Sequence, residues 1–205
     1  YSSFQTLVRS SLDNLKKNKP NFSDALIPEI DEVLEKRSDL MKKLKRVYDK
    51  KLDAVKIRCH GDFHLGQVLV TGRDYIFIDF EGEPIRTISE RRLKRSPLRD
   101  VAGMIRSFHY AAYGEILLND QYSDDEVQKL LPWAEVWYKR MAGFFLRRYL
   151  QEIKGSNLIP SDPKDLDVLL DTFLLEKAVY EIQWELNHRP DWVALPLKGL
   201  KDLME

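Results

Sequence analysis

Five polar side chains that could carry chemistry lie between residues 62 and 81. Asp62, His64 and Gln67 stand in the stretch IRCHGDFHLGQVLV, and Asp79 and Glu81 stand in IFIDFEGEP. Each stretch contains a short apolar run rich in strand-forming residues, which predicts that the polar groups lie close to a small sheet. Buried acids are costly unless something pairs with them, and a bound cation would be one such partner.

This set of groups is the one that phosphoryl transfer needs. One carboxylate accepts or orients the proton of the acceptor hydroxyl, while an amide oxygen and a second carboxylate hold magnesium against the nucleotide phosphates. Asp62 is the expected base. Gln67 and Asp79 are the expected ligands of Mg²⁺, which prefers hard oxygen ligands. The alternatives are a structural polar cluster and a zinc site in which His60 and His64 alternate with Asp62 along an extended segment.

The composition excludes several classes of protein. The chain has 205 residues, of which 43% are apolar, with 33 basic and 33 acidic side chains. This balance lacks the basic excess expected of a nucleic-acid binder, and no apolar run is long enough to cross a bilayer. The single cysteine, Cys59, cannot form an internal disulfide. Because no secretory signal is visible either, the expected compartment is the cytoplasm.

Most of the chain shows apolar residues at helical spacing. The expected helices cover about residues 4–15, Asp24 to Leu52, Ser96 to a stop at Gly114, Ser123 to near Gly155 with an interruption at Pro132, the segment from PSDPKDLD to Asn187, and a tail after Pro196. The run QVLVTGRDYIFIDF predicts a hairpin with a tight turn at TGRD. The expected fold class is therefore mainly α with a small β hairpin (α+β).

Three sequence stretches resemble known kinases. The first, HGDFHLGQ, resembles the catalytic loop of the aminoglycoside-phosphotransferase-like small-molecule kinases, and IDFEGEP with SPLRDVAGMIRSFHYAA resembles bacterial maltokinases. The resemblance is strongest to the maltokinase domain that is often fused to the C-terminal side of trehalose synthase. It extends from KKLDAVKIRCHGD to EKAVYEIQWELNHRPDW. It implies ATP- and Mg²⁺-dependent phosphorylation of maltose to maltose 1-phosphate.

The resemblance also implies roles for individual residues. Asp62 corresponds to the catalytic base, Gln67 and Asp79 correspond to the magnesium ligands, and Glu81 to a supporting or second-metal residue. The remaining implied roles concern the shape of the loop. His60 and His64 would orient the loop. Asp100 would brace the loop from below, and Arg99 could pair with the acidic cluster.

A kinase of this fold also needs an N-terminal lobe with a strand lysine and a loop over the phosphates. The sequence has no such Gly-rich loop, and an amphipathic pattern is already under way at YSSFQTLVRSSL without an initiator Met. We therefore expect a fragment of a longer protein, namely a single C-terminal kinase-like lobe over residues 1–205. Residues 1–55 would be leading helices, 56–95 the catalytic loop and hairpin, and 96–205 an acceptor-binding helical bundle. We expect this lobe to be inactive alone.

The last long helix carries the expected acceptor face. Its polar and aromatic side chains share one side of the helix, at offsets of three, four, seven and eleven. They are Lys177, Tyr180, Glu181, Trp184 and His188. Aromatic rings beside carboxylates suit a sugar. The alternative is a solvated surface of ion pairs, and the weaker additions are Tyr110, Tyr113, Trp133 and Trp137.

Two more predictions remain open at this point. The aromatic stripe formed by Trp133, Trp137, Phe144 and Phe145 is expected to pack in the core rather than to bind a ligand. For function, one rival is a non-catalytic module that serves as a docking or oligomerisation platform in a trehalose synthase fusion. Another is a related kinase with a different acceptor, such as glucosamine or an amino alcohol.

Overall fold

The computed structural model describes residues 2–49, 51–84 and 86–204. It is built from helices with one two-stranded sheet near the middle of the chain. The helices are α1 (Ser2–Asn18), α2 (Ile27–Glu35), α3 (Arg37–Lys45), α4 (Ile88–Arg91), α5 (Leu98–Leu118), α6 (Asp124–Glu152), α7 (Pro163–His188) and α8 (Ala194–Met204). The strands are β1 (Val68–Val70) and β2 (Tyr75–Phe77). The predicted class, mainly α with a small β hairpin, is confirmed.

Helix α7 is the centre of the molecule. It packs against α1, α5 and α8, so that apolar side chains are buried on more than one of its sides. Leu175, Ala178 and Ile182 are at most 1% exposed and meet Leu12 and Leu197 in the largest core cluster. A helix that is apolar on several sides must be buried, and α7 therefore fixes the positions of the polar side chains that it also carries.

The predicted helix from Asp24 to Leu52 is wrong as one element. It is broken at Lys36 into α2 and α3, and the segment Arg46–Tyr48 is a 3₁₀ turn. The break lets both short helices bury apolar side chains in the same cluster, which a straight helix of that length would not do. These side chains are Ile30 and Val33 from α2 and Leu40 and Leu44 from α3.

Two predicted helix breakers do not break their helices. Helix α5 continues past Gly114 to Leu118, since the side chains that follow pack against Tyr113 and Leu195. Helix α6 continues through Pro132 to Glu152, at the cost of the backbone hydrogen bond that proline cannot donate. In both cases packing outweighs the local preference of the residue. The predicted capping box of Ser123 and Glu126 at the start of α6 is confirmed.

The aromatic stripe on α6 is not core. Trp133, Trp137 and Phe144 are 74%, 44% and 61% exposed, and only Phe145 is partly buried against α5. Helix α6 packs mainly against α5, so it leaves one side to solvent. Over the part of the chain that the structure describes, none of the helices combines the length and the apolarity needed to cross a membrane.

Candidate active site

The expected catalytic loop rests on one face of α5. The carboxylate of Asp100 accepts hydrogen bonds from the backbone amides of His60 (2.7 Å) and Gly61 (2.9 Å). Two turns further along, the Ser107 hydroxyl accepts one from the amide of Leu65 (3.0 Å). Burial raises the pKa of Asp100, and the two amide hydrogen bonds oppose that rise. Asp100 thus lies where a brace for the loop is expected.

Two glycines allow the loop to lie this close to its neighbours. A Cβ atom on Gly103 of α5 would stand 2.6 Å from the carbonyl oxygen of Phe63. Gly61 has a φ of +90°, and a Cβ there would stand 3.1 Å from Cα of Gly82. Any side chain at either position would push the loop away from α5 or from the turn after β2.

The hairpin brings the two expected magnesium ligands together. Gln67, 8% exposed in the 3₁₀ turn just before β1, donates from Nε2 to Oδ2 of Asp79 at 2.9 Å. Asp79 has a φ of +63°, which is rare for a residue other than glycine and costs about 1–3 kcal/mol. Such strain persists only where the surroundings impose it, and it is frequent at functional sites.

The donor set of this pair fits magnesium. Mg²⁺ takes one or two carboxylates and completes its shell with water and phosphate oxygens, and Gln67 and Asp79 provide one amide oxygen and one carboxylate. Glu81 stands apart from them: its side chain is 76% exposed and lies 3.6 Å from Arg91. Within residues 2–49, 51–84 and 86–204, no three His, Cys, Asp or Glu side chains are grouped as metal ligands.

The zinc alternative does not suit the geometry of His60. Its Nε2 lies 2.7 Å from the carbonyl oxygen of Ile78, and its Nδ1 lies 3.4 Å from the amide nitrogen of Asp62. The ring also packs against Phe63 and Phe80. Both ring nitrogens therefore face the backbone of the loop and the hairpin, which is the arrangement of a residue that orients the loop.

A cavity of about 340 Å³ joins the catalytic loop to α7. Asp62 and His64 line it, together with four of the five α7 residues expected to bind an acceptor. They are Lys177, Tyr180, Glu181 and Trp184. Burial lowers the pKa of His64, an effect that the carboxylate of Asp62 opposes. Tyr110, one of the weaker additions, lines the cavity as well.

His188 does not line this cavity. Its ring stacks on the indole of Trp184 with centroids 3.9 Å apart, and its Nδ1 lies 2.8 Å from the carbonyl oxygen of Trp184. The Tyr180 ring, one turn earlier on α7, is also stacked near the indole, with centroids 6.3 Å apart, so Trp184 lies between two aromatic rings of its own helix. Of the other weaker additions, Tyr113 is 1% exposed in a core cluster, Trp133 is 74% exposed, and Trp137 is half-exposed with its ring edge-on to Phe108 of α5.

The acids of the cavity are held in fixed orientations. Arg106, 1% exposed, donates from Nε and Nη2 to the same oxygen of Glu181, Oε2, at 2.9 and 2.7 Å. Glu185 accepts from Arg189 (2.9 and 2.8 Å) and from the Tyr110 hydroxyl (3.1 Å). Because both bonds from Arg106 use Oε2, the geometry leaves Oε1 of Glu181 for a ligand hydroxyl.

Lys177 stands between two carboxylates. Its Nζ lies 3.2 Å from Oδ1 of Asp62 and 3.0 Å from Oε1 of Glu83. Burial by itself would lower the pKa of Lys177, but the charges of Glu83 and Asp62 outweigh it and the net shift is upward. The lysine is therefore charged, and it contacts the expected base directly.

Several residues of the site are not apparent from the sequence. They are Glu83, Arg86, Glu176, Arg106, Ser107, Glu185 and Arg189. The pattern offers one usable signal, since Arg106 is a charged residue inside the apolar run VAGMIRSFHY and needs a buried partner. Arg99, expected to pair with the acidic cluster, instead pairs with Glu176 of α7 at 2.9 Å.

Comparisons with known proteins point in one direction. No protein-family model matches the chain. The chain is 28% identical over 150 residues to a glucosamine kinase from Streptacidiphilus jiangxiensis, covering 72% of the chain and 32% of that protein. It is 31% identical over 150 residues to one from Mycolicibacterium smegmatis, covering 71% of the chain and 34% of that protein. The chain thus spans about a third of the length of these curated relatives.

Solved structures extend the likeness to the whole chain. A glucosamine kinase in complex with glucosamine, ADP and inorganic phosphate matches 99% of the chain and 48% of its own length, with a TM-score of 0.70 and 20% identity. A second crystal form of a glucosamine kinase matches with a TM-score of 0.69 and 20% identity, over 99% of the chain and 45% of its own length. The chain therefore has the fold of a small-molecule kinase over the region that it shares with these enzymes.

Proposed function

We propose that the chain is the acceptor-binding and catalytic-loop lobe of an ATP-dependent kinase that phosphorylates a sugar hydroxyl. The observation that carries this proposal is the shared cavity. Asp62 of the loop and the side chains of Tyr180, Glu181 and Trp184 line the same space. The sequence and fold likeness to glucosamine kinases supports the same class of reaction.

Each side chain of the site would have its own role in the reaction. The acceptor hydroxyl would bind to Asp62, which takes up or orients its proton as the hydroxyl oxygen attacks the γ-phosphorus. The part of the Trp184 indole that lines the cavity would contact the apolar C–H face of the sugar, and Oε1 of Glu181 would accept a hydrogen bond from a second hydroxyl. Gln67 and Asp79 would hold Mg²⁺, which neutralises charge on the nucleotide phosphates.

ATP binding needs a further region in this proposal. The sequence contains no Gly-rich phosphate loop, and the solved relatives are about twice as long as the matched region. We therefore propose that the 205-residue chain alone does not turn over ATP. In the longer protein, the exposed hairpin would face the nucleotide-binding lobe.

Maltose is the acceptor that we propose first, on the resemblance of IDFEGEP and SPLRDVAGMIRSFHYAA to maltokinases. Glucosamine is the second candidate, and the observation that favours it is the name of the matched relatives. A non-catalytic module in a trehalose synthase fusion is the rival from another class. The sequence of this chain has no amylase-type barrel, so isomerase chemistry would not reside in it.

An activity assay separates these possibilities. The full-length protein that contains the chain is given ATP and Mg²⁺ with maltose, glucose, trehalose or glucosamine, and formation of the sugar phosphate is measured. We expect phosphorylation of maltose, and a loss of about 10²–10⁴-fold in Asp62→Asn because proton transfer contributes that much. Asp39→Asn, an exposed aspartate of α3, is the matched control and should be fully active.

Each outcome has a distinct meaning. A product from glucosamine but not from maltose would replace the acceptor and keep the kinase. A full rate in a folded Asp62→Asn variant would remove Asp62 from its role. The absence of any sugar phosphate, with a folded protein that binds ATP, would leave the non-catalytic module as the better account.

A further inference from the structure

The expected base, Asp62, belongs to a series of largely buried ion pairs next to the cavity. Lys177 contacts both Asp62 and Glu83, and Glu83 also accepts a hydrogen bond from Nε of Arg86 at 2.5 Å. The series continues from Arg86 to Glu176 (3.6 Å). It connects the catalytic loop to α7 and to the segment after the hairpin.

The positions of the two carboxylates decide what Lys177 does. The Glu83 side chain is 6% exposed and that of Asp62 is 23% exposed, and the ammonium group lies within 3.2 Å of both. Two acids this close to one cation repel each other when the cation is removed. Lys177 binds Oδ1 of Asp62, which leaves Oδ2 for a hydroxyl in the cavity.

The same contacts argue against Lys177 as an acceptor ligand. Two of its three ammonium hydrogens point to Asp62 and Glu83, and Nζ lies 4.7 Å from the ring centroid of Tyr180. A sugar hydroxyl would compete with charged acceptors, which form stronger hydrogen bonds than neutral ones. Sequence spacing alone placed Lys177 with the sugar ligands of α7, whereas its contacts point to the base.

We propose that Lys177 and Glu83 are positioning residues for Asp62. Glu83 holds the ammonium group of Lys177, and Lys177 fixes the carboxylate of Asp62 so that Oδ2 faces the acceptor hydroxyl. This inference rests on the proposed function, since it assigns the pair to the same site. Glu83, and not the exposed Glu81, is then the glutamate of IDFEGEP that matters for the orientation of the base.

The kinetic test compares Lys177→Met, Glu83→Gln and the double variant in the full-length protein. A misplaced catalytic group costs on the order of 10²-fold in rate, so kcat should fall about 100-fold in Lys177→Met and less in Glu83→Gln. The acceptor KM should stay within about threefold, as expected when only a transition-state interaction is lost. The double variant should be no slower than Lys177→Met, because both changes act through one contact.

Two further variants control for charge and packing. Lys177→Arg keeps the positive charge and should recover at least tenfold of the lost kcat. Lys198→Met breaks a Lys–Asp pair of the same 3.2 Å length on α8, away from the cavity, and should leave kcat unchanged. A rise in acceptor KM with kcat unchanged in Lys177→Met would make Lys177 a sugar ligand and overturn the proposal.

A measurement without turnover separates this inference from the proposed function. In the 205-residue chain with ¹³C-labelled aspartate, the Asp62 carboxylate resonance is assigned with Asp62→Asn. We expect it to shift in Lys177→Met and in Glu83→Gln, and not in Lys198→Met. An unchanged resonance in Lys177→Met would overturn the proposal, and an unchanged one in Glu83→Gln would remove Glu83 from it. If no sugar is phosphorylated, the proposed function fails while this result still decides the positioning contact.

Discussion

The proposed site has two halves: a metal half, Gln67 and Asp79 at the hairpin, and a sugar half, the cavity-lining side chains of α7. The two halves differ in how completely the described residues surround them. Val70, Tyr75 and Phe77 of the hairpin are 73%, 63% and 51% exposed. On α7, Leu175 and Ile182 are at most 1% exposed. An isolated two-stranded sheet is marginally stable, and apolar patches of this kind mark interaction sites.

The two halves differ in how much packing supports them. The cavity wall on α7 is held by buried ion pairs and apolar packing between described residues. The Gln67–Asp79 pair, by contrast, stands on a hairpin whose apolar side chains are mostly exposed, although the Phe77 ring meets that of Phe63. The sugar half and the metal half should therefore respond differently to mutation, to acid and to separation from the rest of the protein.

The largest expected effect is on the metal half. Asp79→Asn in the full-length protein should lower kcat about 10³-fold, since a lost magnesium ligand misplaces the transferring phosphate. Sugar binding, measured by calorimetry, should not change. Asp74→Asn in the hairpin turn is the matched control. A fall in sugar affinity equal to the fall in rate would show that the two halves are not separate.

Stability should depend on α7 and hardly on the hairpin. Leu175→Ala should lower the free energy of unfolding of the chain by about 2–5 kcal/mol, because it leaves a cavity in the core. Val70→Ala removes an exposed side chain and should change it by about 0.5 kcal/mol or less. Chemical denaturation of both variants checks this. Similar losses in the two variants would contradict the comparison.

Low pH should lower the free energy of unfolding through His109. This buried residue of α5 packs against Tyr113 and Tyr138, and burial lowers its pKa to about 3. The unfolded chain binds a proton at higher pH, near 6.5, so it takes up more protons than the folded chain between pH 6.5 and 3.

Stability should therefore fall as the pH drops through that range, by on the order of 3 kcal/mol. His109→Phe should flatten this part of the pH dependence, measured by denaturation between pH 7 and 4. The facing acid, Asp202, lies 3.7 Å away and has a lowered pKa, so Asp202→Asn serves as the companion variant. An unchanged slope in a folded His109→Phe variant would contradict this account of the histidine.

The smallest expected effect is on the sugar half. Trp184→Ala should weaken sugar binding about tenfold, which corresponds to the 1–2 kcal/mol expected for a lost stacking surface. The maximum rate should change little, since stacking acts on the bound sugar before transfer as well as during it. Trp133→Ala, at an exposed position of α6, is the control. Equal affinities in the two variants would remove Trp184 from the acceptor site.

The sequence predicts the parts of this molecule that depend on local pattern. Helix α7, the hairpin with its TGRD turn and the Ser123–Glu126 capping box follow from periodicity, turn residues and capping chemistry. The approach of Gln67 to Asp79 follows as well, because a tight hairpin places the ends of its strands side by side.

The remaining features of the fold and the site depend on which side of a helix packs against another element. No local sequence pattern contains that information. The break at Lys36 and the continuity of α6 through Pro132 are decided by packing between elements. Glu81 and Glu83 are two positions apart in IDFEGEP, yet one is exposed and the other is buried against Lys177. Spacing on α7 also cannot separate Lys177, which pairs with Asp62 and Glu83, from Trp184, which stacks on His188.

A crystal structure of the protein with its sugar bound would show whether Asp62 faces the acceptor hydroxyl. The quantity to measure is the distance from Asp62 Oδ2 to the nearest sugar hydroxyl. We predict a hydrogen bond of about 2.6–3.2 Å, with the sugar ring in contact with Trp184. A sugar bound in this cavity with every hydroxyl turned away from Asp62, or bound on another surface, would contradict it.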